Sequence, residues 1–253
     1  MLEAESGLHP HIRQTDPFNS TCRFIHMTSP SLLSDGFLAI SDVVPEATLA
    51  DILAQPEIAD DDDSDAGTRD LLDRDWCRAL AAALREHLRE ARLLPPDAVA
   101  VQCTLFRKSE ATNWKVALHQ DLSIPVAQRV EHDALSGWSS KQGVHFVQPP
   151  VATLERLLAV RVHLDVCGEG DGPLRVVTGS HRHGRLDPAQ AQALRDAHGE
   201  TECTALAGDL LIMRPLLLHA SSKALKPSGR RRVLHFLFGP RDPGFGLRWS
   251  TAI

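Results

Sequence analysis

A mostly-β jelly-roll barrel with helices packed outside it is the fold class the sequence predicts, and three observations predict it. The second half carries four β-like runs, at 158–165, 174–177, 209–213 and 231–238, separated by Gly, Pro, Ser and Asp clusters. The interval 166–173 is too short for a βαβ crossover, and the strands are expected to be antiparallel. Finally, 43% apolar and 24% charged residues in a chain of 253 supply enough core for a globular barrel. We expect a flexible arm over residues 1–30 and one barrel domain over 31–253.

In chain order, the arm holds His9, His11 and His26 without any sustained period, and the pair His9-Pro10-His11 reads as solvated tail. Gly36 to Ser41 reads as a short buried strand, and Pro45 then opens a helix, where its fixed φ suits the first turn. The run Asp60 to Asp63 with Asp65 is self-repelling and reads as a solvated loop; it lacks the glycine and glutamate spacing of a calcium loop. Leu72, Trp76, Leu80, Leu84 and Leu88 recur every four residues until Pro95-Pro96, which predicts an amphipathic helix. Ala98 to Phe106 follows as a strand, with Gln102, Thr104, Phe106 and Lys108 on one face and Val101, Cys103 and Leu105 on the other. Asp187 as N-cap, Pro188 behind it and Gly199 at the far end bound a helix inside the β-rich half.

Composition excludes several classes. Lys plus Arg number 27 against 33 Asp plus Glu, a net charge of −6, with no basic stripe of the kind that binds nucleic acid. Apolar runs fall far short of the roughly 20 residues a membrane helix needs. The N-terminus opens acidic, unlike a secretory signal. Five scattered cysteines, never in a C-x-x-C pair, fit a reducing cytoplasm better than a disulfide framework or a thiolate zinc site.

Two histidines sit two positions before an aspartate, His119-Gln120-Asp121 and His163-Leu164-Asp165, which on extended chain places each pair on one face. A mixed nitrogen and oxygen set suits iron(II) better than the sulfur-rich sites of structural zinc. His219, after three leucines, supplies a third ligand to the first pair from the end of an apolar strand. Eleven positions later Arg230, Arg231 and Arg232 open another strand, and a guanidinium there can grip a carboxylate through two parallel hydrogen bonds. Spacing favours Arg230; alternation also permits Arg232, and Ser221 can add a hydroxyl.

Together with Asp171-Gly-Pro-Leu and Gly179-Ser-His181, these motifs resemble the phytanoyl-CoA dioxygenase family across roughly residues 34 to 250. The resemblance implies a double-stranded β-helix, cupin-like oxygenase that uses iron(II), 2-oxoglutarate and dioxygen. It implies His119, Asp121 and His219 as metal ligands, with Arg230 and Ser221 binding the cosubstrate; Gln102, on the mixed-polarity face of its strand, is a further cosubstrate candidate. His181 then belongs to a structural turn. Leu118 stands where many relatives have an aromatic residue, and Asp171 where many have asparagine; neither is a ligand position. Arg161 either binds substrate or the cosubstrate's C1 carboxylate, or pairs with Asp165; Trp138 is placed against the substrate.

The expected reaction hydroxylates an unactivated C–H bond of a small organic molecule while 2-oxoglutarate yields succinate and carbon dioxide. An aspartate at position 121 fits hydroxylation or desaturation rather than halogenation, which needs that coordination position for halide. A zinc hydrolase using metal-activated water and a non-catalytic binding barrel are the competing readings.

Overall fold

The computed structural model describes residues 30–59, 67–108, 113–225 and 230–253. The His9-Pro10-His11 pair, nearly all of the expected arm and the Asp60 to Asp63 run lie outside them. The chain enters through helix α1 (Pro30–Ser34), strand β1 (Phe37–Ile40), α2 (Glu46–Leu53), α3 (Pro56–Ala59), β2 (Gly67–Thr68) and α4 (Asp75–Glu90). Strands β3 (Ala98–Lys108), β4 (Val116–His119), β5 (Ile124–Val126), β6 (Ser136–Lys141) and β7 (Val144–Gln148) follow, then α5 (Val151–Leu154). The remainder is β8 (Leu158–His163), β9 (Leu174–Val176), α6 (Pro188–His198), β10 (Thr201–Cys203), β11 (Leu210–Met213), β12 (His219–Ser221) and β13 (Arg231–Pro240).

These strands form an antiparallel six-stranded sheet in the order β1-β11-β8-β13-β3-β2, a four-stranded sheet β10-β9-β12-β4 and a three-stranded sheet β5-β7-β6. The two larger sheets share a core in which Ala159, Met213 and Leu237 meet Leu174 and Val176. That is the jelly-roll arrangement of two facing sheets. Alternation decides the faces. Along β13, Leu234, Phe236 and Phe238 pack outward against Leu80, Leu84 and Leu88 of α4, so Arg231, Val233, His235 and Leu237 turn inward.

Three local expectations shift. Helix α4 begins at Asp75 rather than Leu72, because Asp70 is left-handed (φ 65°) and Leu71–Asp73 forms a separate 3-10 turn. A bulge in β3 opposite Leu237 and Phe238 skips Val101, which therefore joins the inner core with Val99 while Cys103 and Leu105 face the helices. His219 begins a short strand instead of ending an apolar one; the leucines before it form a turn.

Candidate active site

β4 ends at His119 and β12 begins at His219, and these residues are direct partners across the four-stranded sheet, with ring centroids 4.1 Å apart. Asp121 lies just past β4. Its amide donates to the Pro215 carbonyl (2.9 Å), which turns the chain back so that Oδ1 sits 3.6 Å from His119 Nε2 and Oδ2 3.8 Å from His219 Nε2. Buried Gln120 holds this turn: its amide donates to the Leu216 (2.7 Å) and Gly184 (2.8 Å) carbonyls and accepts from the Leu186 amide (2.9 Å). Among the described residues, His119, Asp121 and His219 form a group whose donor atoms all lie within 4.8 Å of one another.

Hydrogen bonding assigns the tautomers. His119 Nδ1 meets the Ala117 carbonyl at 2.8 Å and His219 Nδ1 meets that of Leu217 at 2.9 Å, so both carry the proton on Nδ1 and turn an Nε2 lone pair toward Asp121. A third imidazole is different. His235 Nδ1 lies 3.2 Å from Arg161 Nη1, which can only donate, so His235 bears its proton on Nε2, 3.9 Å from Asp121 Oδ2. Two imidazole lone pairs and one carboxylate thus converge, and the donor set fits a divalent ion such as iron(II). Burial opposes charge on Asp121, yet His219, His119 and His235 hold its carboxyl well below the usual carboxylate range. Burial lowers His219 to about 4 against the pull of Asp121, which keeps that imidazole unprotonated at neutral pH.

A cavity of about 360 Å³ opens beside this group. Its floor is a row across three strands of the larger sheet, Thr104 on β3, His235 on β13 and Arg161 on β8, set by strand register. Arg231 lies four residues from His235 on the same inward face, about 13 Å along the strand at roughly 3.3 Å per residue. Ser221 and Arg231 meet at the Gly172 carbonyl: Ser221 Oγ donates to it at 3.1 Å and Arg231 Nη1 also donates there. Gly172 has φ 65°, and a Cβ would stand 2.5 Å from the Ser222 carbonyl oxygen, so the Gly-Pro-Leu turn requires glycine. Lys108 Nζ donates to Ser221 Oγ (2.7 Å) and the Ser222 carbonyl (2.6 Å), and burial followed by repulsion from Arg231 brings it down to about 8.

The expected site residues divide. His119, Asp121, His219, Ser221, Gln102 and Arg161 all line the cavity, and Gln102 donates to Thr104 Oγ1 at 2.9 Å. Arg230 is exposed and precedes β13; Arg231 is the buried arginine that reaches the cavity, while Arg232 turns away and grips Asp165 through Nη2 (2.7 Å) and Nε (2.9 Å). Trp138 packs on the inner core beneath the Arg129 guanidinium, and Phe146 lines the cavity in that region. His181 bonds the Leu33 carbonyl at 3.1 Å, and neighbouring Ser180 accepts from the Leu218 amide (2.9 Å), so this motif braces the entry to β12. Arg231 and His235 were missed by spacing alone. The available signal was parity: a histidine inside an otherwise apolar strand marks the inward face, and Arg231 shares it.

A metal-binding trio of two histidines and one carboxylate in a jelly-roll cavity is the arrangement of mononuclear non-haem oxygenases. The phytanoyl-CoA dioxygenase family profile matches residues 32–233, and the chain belongs to that family. No curated protein matches it. Among solved structures, HygX from Streptomyces hygroscopicus with nickel and 2-oxoglutarate bound is 19% identical at a TM-score of 0.57, covering 83% of this chain and 84% of that one. EctD from S. alaskensis with 2-oxoglutarate and 5-hydroxyectoine is 19% identical at 0.61, covering 89% and 81%. The epimerase SnoN from nogalamycin biosynthesis is 17% identical at 0.60, covering 85% and 84%. At these identities the likeness is one of fold. No helix among the described residues is long and apolar enough to cross a membrane.

Proposed function

We propose that the chain is an iron(II)- and 2-oxoglutarate-dependent dioxygenase that hydroxylates an unactivated C–H bond of a small organic molecule in the cytoplasm. The observation that carries this reading is the His119, Asp121 and His219 group on the wall of a cavity that also receives Arg231 and Ser221. Iron(II) held by these three ligands would bring dioxygen and 2-oxoglutarate together, releasing succinate and carbon dioxide and supplying the oxidant for the substrate C–H bond.

The protein's part is orientation and exclusion of water. The carbonyls of Ala117 and Leu217 hold the two imidazoles with Nε2 toward the metal position. Arg231 Nε has no protein partner, so the guanidinium can take the far carboxylate of 2-oxoglutarate while Gly172 holds its other side. Ser221, with its hydroxyl fixed by Lys108 and Gly172, borders the same end. Gln102 and Thr104 give the floor a polar strip, and Phe106, Phe146, Leu157 and Leu237 keep the rest dry.

Anaerobic titration with iron(II), then 2-oxoglutarate, then oxygenation with succinate measured against a metal-free control tests the proposal. Stoichiometric iron binding that depends on all three ligands and iron-dependent succinate formation are expected. Full iron affinity in Asp121→Ala, or no 2-oxoglutarate binding by wild type, would overturn it.

A further inference from the structure

The geometry points to Arg161 as the anchor for an acid group on the organic substrate, which we infer to be a small carboxylic acid with an apolar body. This rests on the proposed function and names the substrate class of that site. Arg161 is 8% exposed, stands in the central row of the cavity floor, and remains a cation there. A buried guanidinium without a counter-charge is costly, so its partner has to be found. Among the described residues Asp121 attracts it across the cavity but lies against three imidazoles, Asp165 is taken by Arg232, and no carboxylate closes an ion pair with Arg161.

The guanidinium is nonetheless held in place. Nη1 is fixed on His235 Nδ1 at 3.2 Å, the Phe106 ring lies 5.8 Å away, and Nε carries no protein partner. That is a planar donor group oriented before any ligand arrives. The far carboxylate of the proposed cosubstrate has its own partners, Arg231 and Ser221, at the other end of β13's inward face. Among the described residues that line the cavity, Arg69, Lys141, Arg161 and Arg231 face a single carboxylate, Asp121. The two carboxylates of 2-oxoglutarate only offset a divalent metal, which leaves the cationic excess for the substrate. Phe106, Phe146 and Leu157 beside these cations supply the apolar contact. One planar guanidinium in a cavity of about 360 Å³ suits a carboxylate better than a bulkier polyanion.

The test is calorimetric titration of the manganese- and 2-oxoglutarate-loaded protein under anaerobic conditions with matched pairs: benzoate and benzamide, phenylacetate and phenylacetamide, hexanoate and hexanamide. At least one acid should bind about 10-fold or more tighter than its amide, a preference of about 1.4 kcal/mol. Arg161→Met should erase that preference while leaving 2-oxoglutarate affinity within about 3-fold, because the charge lost serves only the acid. Arg161→Lys should keep part of the preference, which separates loss of charge from loss of fold. Equal binding of acids and amides by wild type, or binding of none of the six, would overturn the inference. So would a drop of about 10-fold or more in 2-oxoglutarate affinity in Arg161→Met, since the arginine would then belong to the cosubstrate. If wild type binds manganese but no 2-oxoglutarate, the proposed function fails, and the acid and amide titrations on that protein still judge Arg161 separately.

Discussion

The chain contains the pattern histidine, leucine or glutamine, aspartate twice, and the two copies have opposite fates. At His119-Gln120-Asp121 the strand stops at the histidine, the next residues turn, and the carboxylate swings back beside its own histidine and His219. At His163-Leu164-Asp165 the histidine ends a strand buried on both faces. Both of its ring nitrogens lack partners, and the carboxylate goes to Arg232 instead. A short motif is therefore only a supply of donor atoms. What gathers such atoms into a candidate metal site is a chain reversal that bends the carboxylate inward and a third donor brought across the sheet.

The largest expected effect breaks this comparison directly. His219→Ala or Asp121→Ala should weaken iron(II) binding by more than about 100-fold, beyond what loss of an outer-shell partner costs. His163→Ala, Asp165→Ala and His181→Ala should retain it. Anaerobic iron titration checks all five, and equal loss at His163 would erase the distinction between the motifs.

Next in size is the cosubstrate. Arg231→Ala should weaken 2-oxoglutarate affinity by roughly 30- to 1000-fold, the loss of about 2 to 4 kcal/mol from a charge-assisted pair in a dry pocket. Arg230→Ala should change it by less than about 3-fold, since that side chain is exposed. Calorimetry on the manganese-loaded protein reads both.

The second motif should reveal itself in stability. Asp165→Ala strands the mostly buried Arg232 guanidinium and removes an acceptor of the Arg232 amide (2.8 Å), so unfolding free energy should fall by about 2 to 3 kcal/mol with iron affinity unchanged. A urea midpoint shift at constant m-value is the measurement.

The smallest effect is a pH dependence at His163. Burial, then the positive charges of Arg161 and Arg231, lower its pKa to about 3. The unfolded chain, near 6.5, therefore binds this proton more readily, and stability falls as pH drops from about 6.5 toward 3. Between pH 7 and pH 5 wild type should lose about 2 kcal/mol more than His163→Leu, in urea unfolding at the two pH values.

Much of this was legible in the chain itself. Period-two runs and turn residues place β8, β9, β11 and β13, and the capping of α6 by Asp187 and Gly199 is as expected. Short strands β4, β5, β6, β7 and β10 were not anticipated, because three to six residues of mixed polarity carry no clear period. The separate placements of Arg230, Arg231 and Arg232 were also hidden. Spacing counts residues from His219, whereas side-chain direction depends on where β13 enters the sheet.

By itself the sequence determined the antiparallel β architecture, the helices that cover it and the stock of His, Asp and Arg from which a site can be built, because these follow from periodicity and residue chemistry within short windows. Tertiary structure alone decided which histidine–aspartate pair faces His219, which arginine turns inward and which imidazole nitrogen offers a lone pair. Those outcomes depend on partners far away in the chain, such as Arg232 for Asp165 across 67 residues and His235 for Arg161 across 74. A carboxylate or guanidinium near a protein core is assigned by whichever opposite partner the packed sheets bring to it, and local pattern does not contain that information.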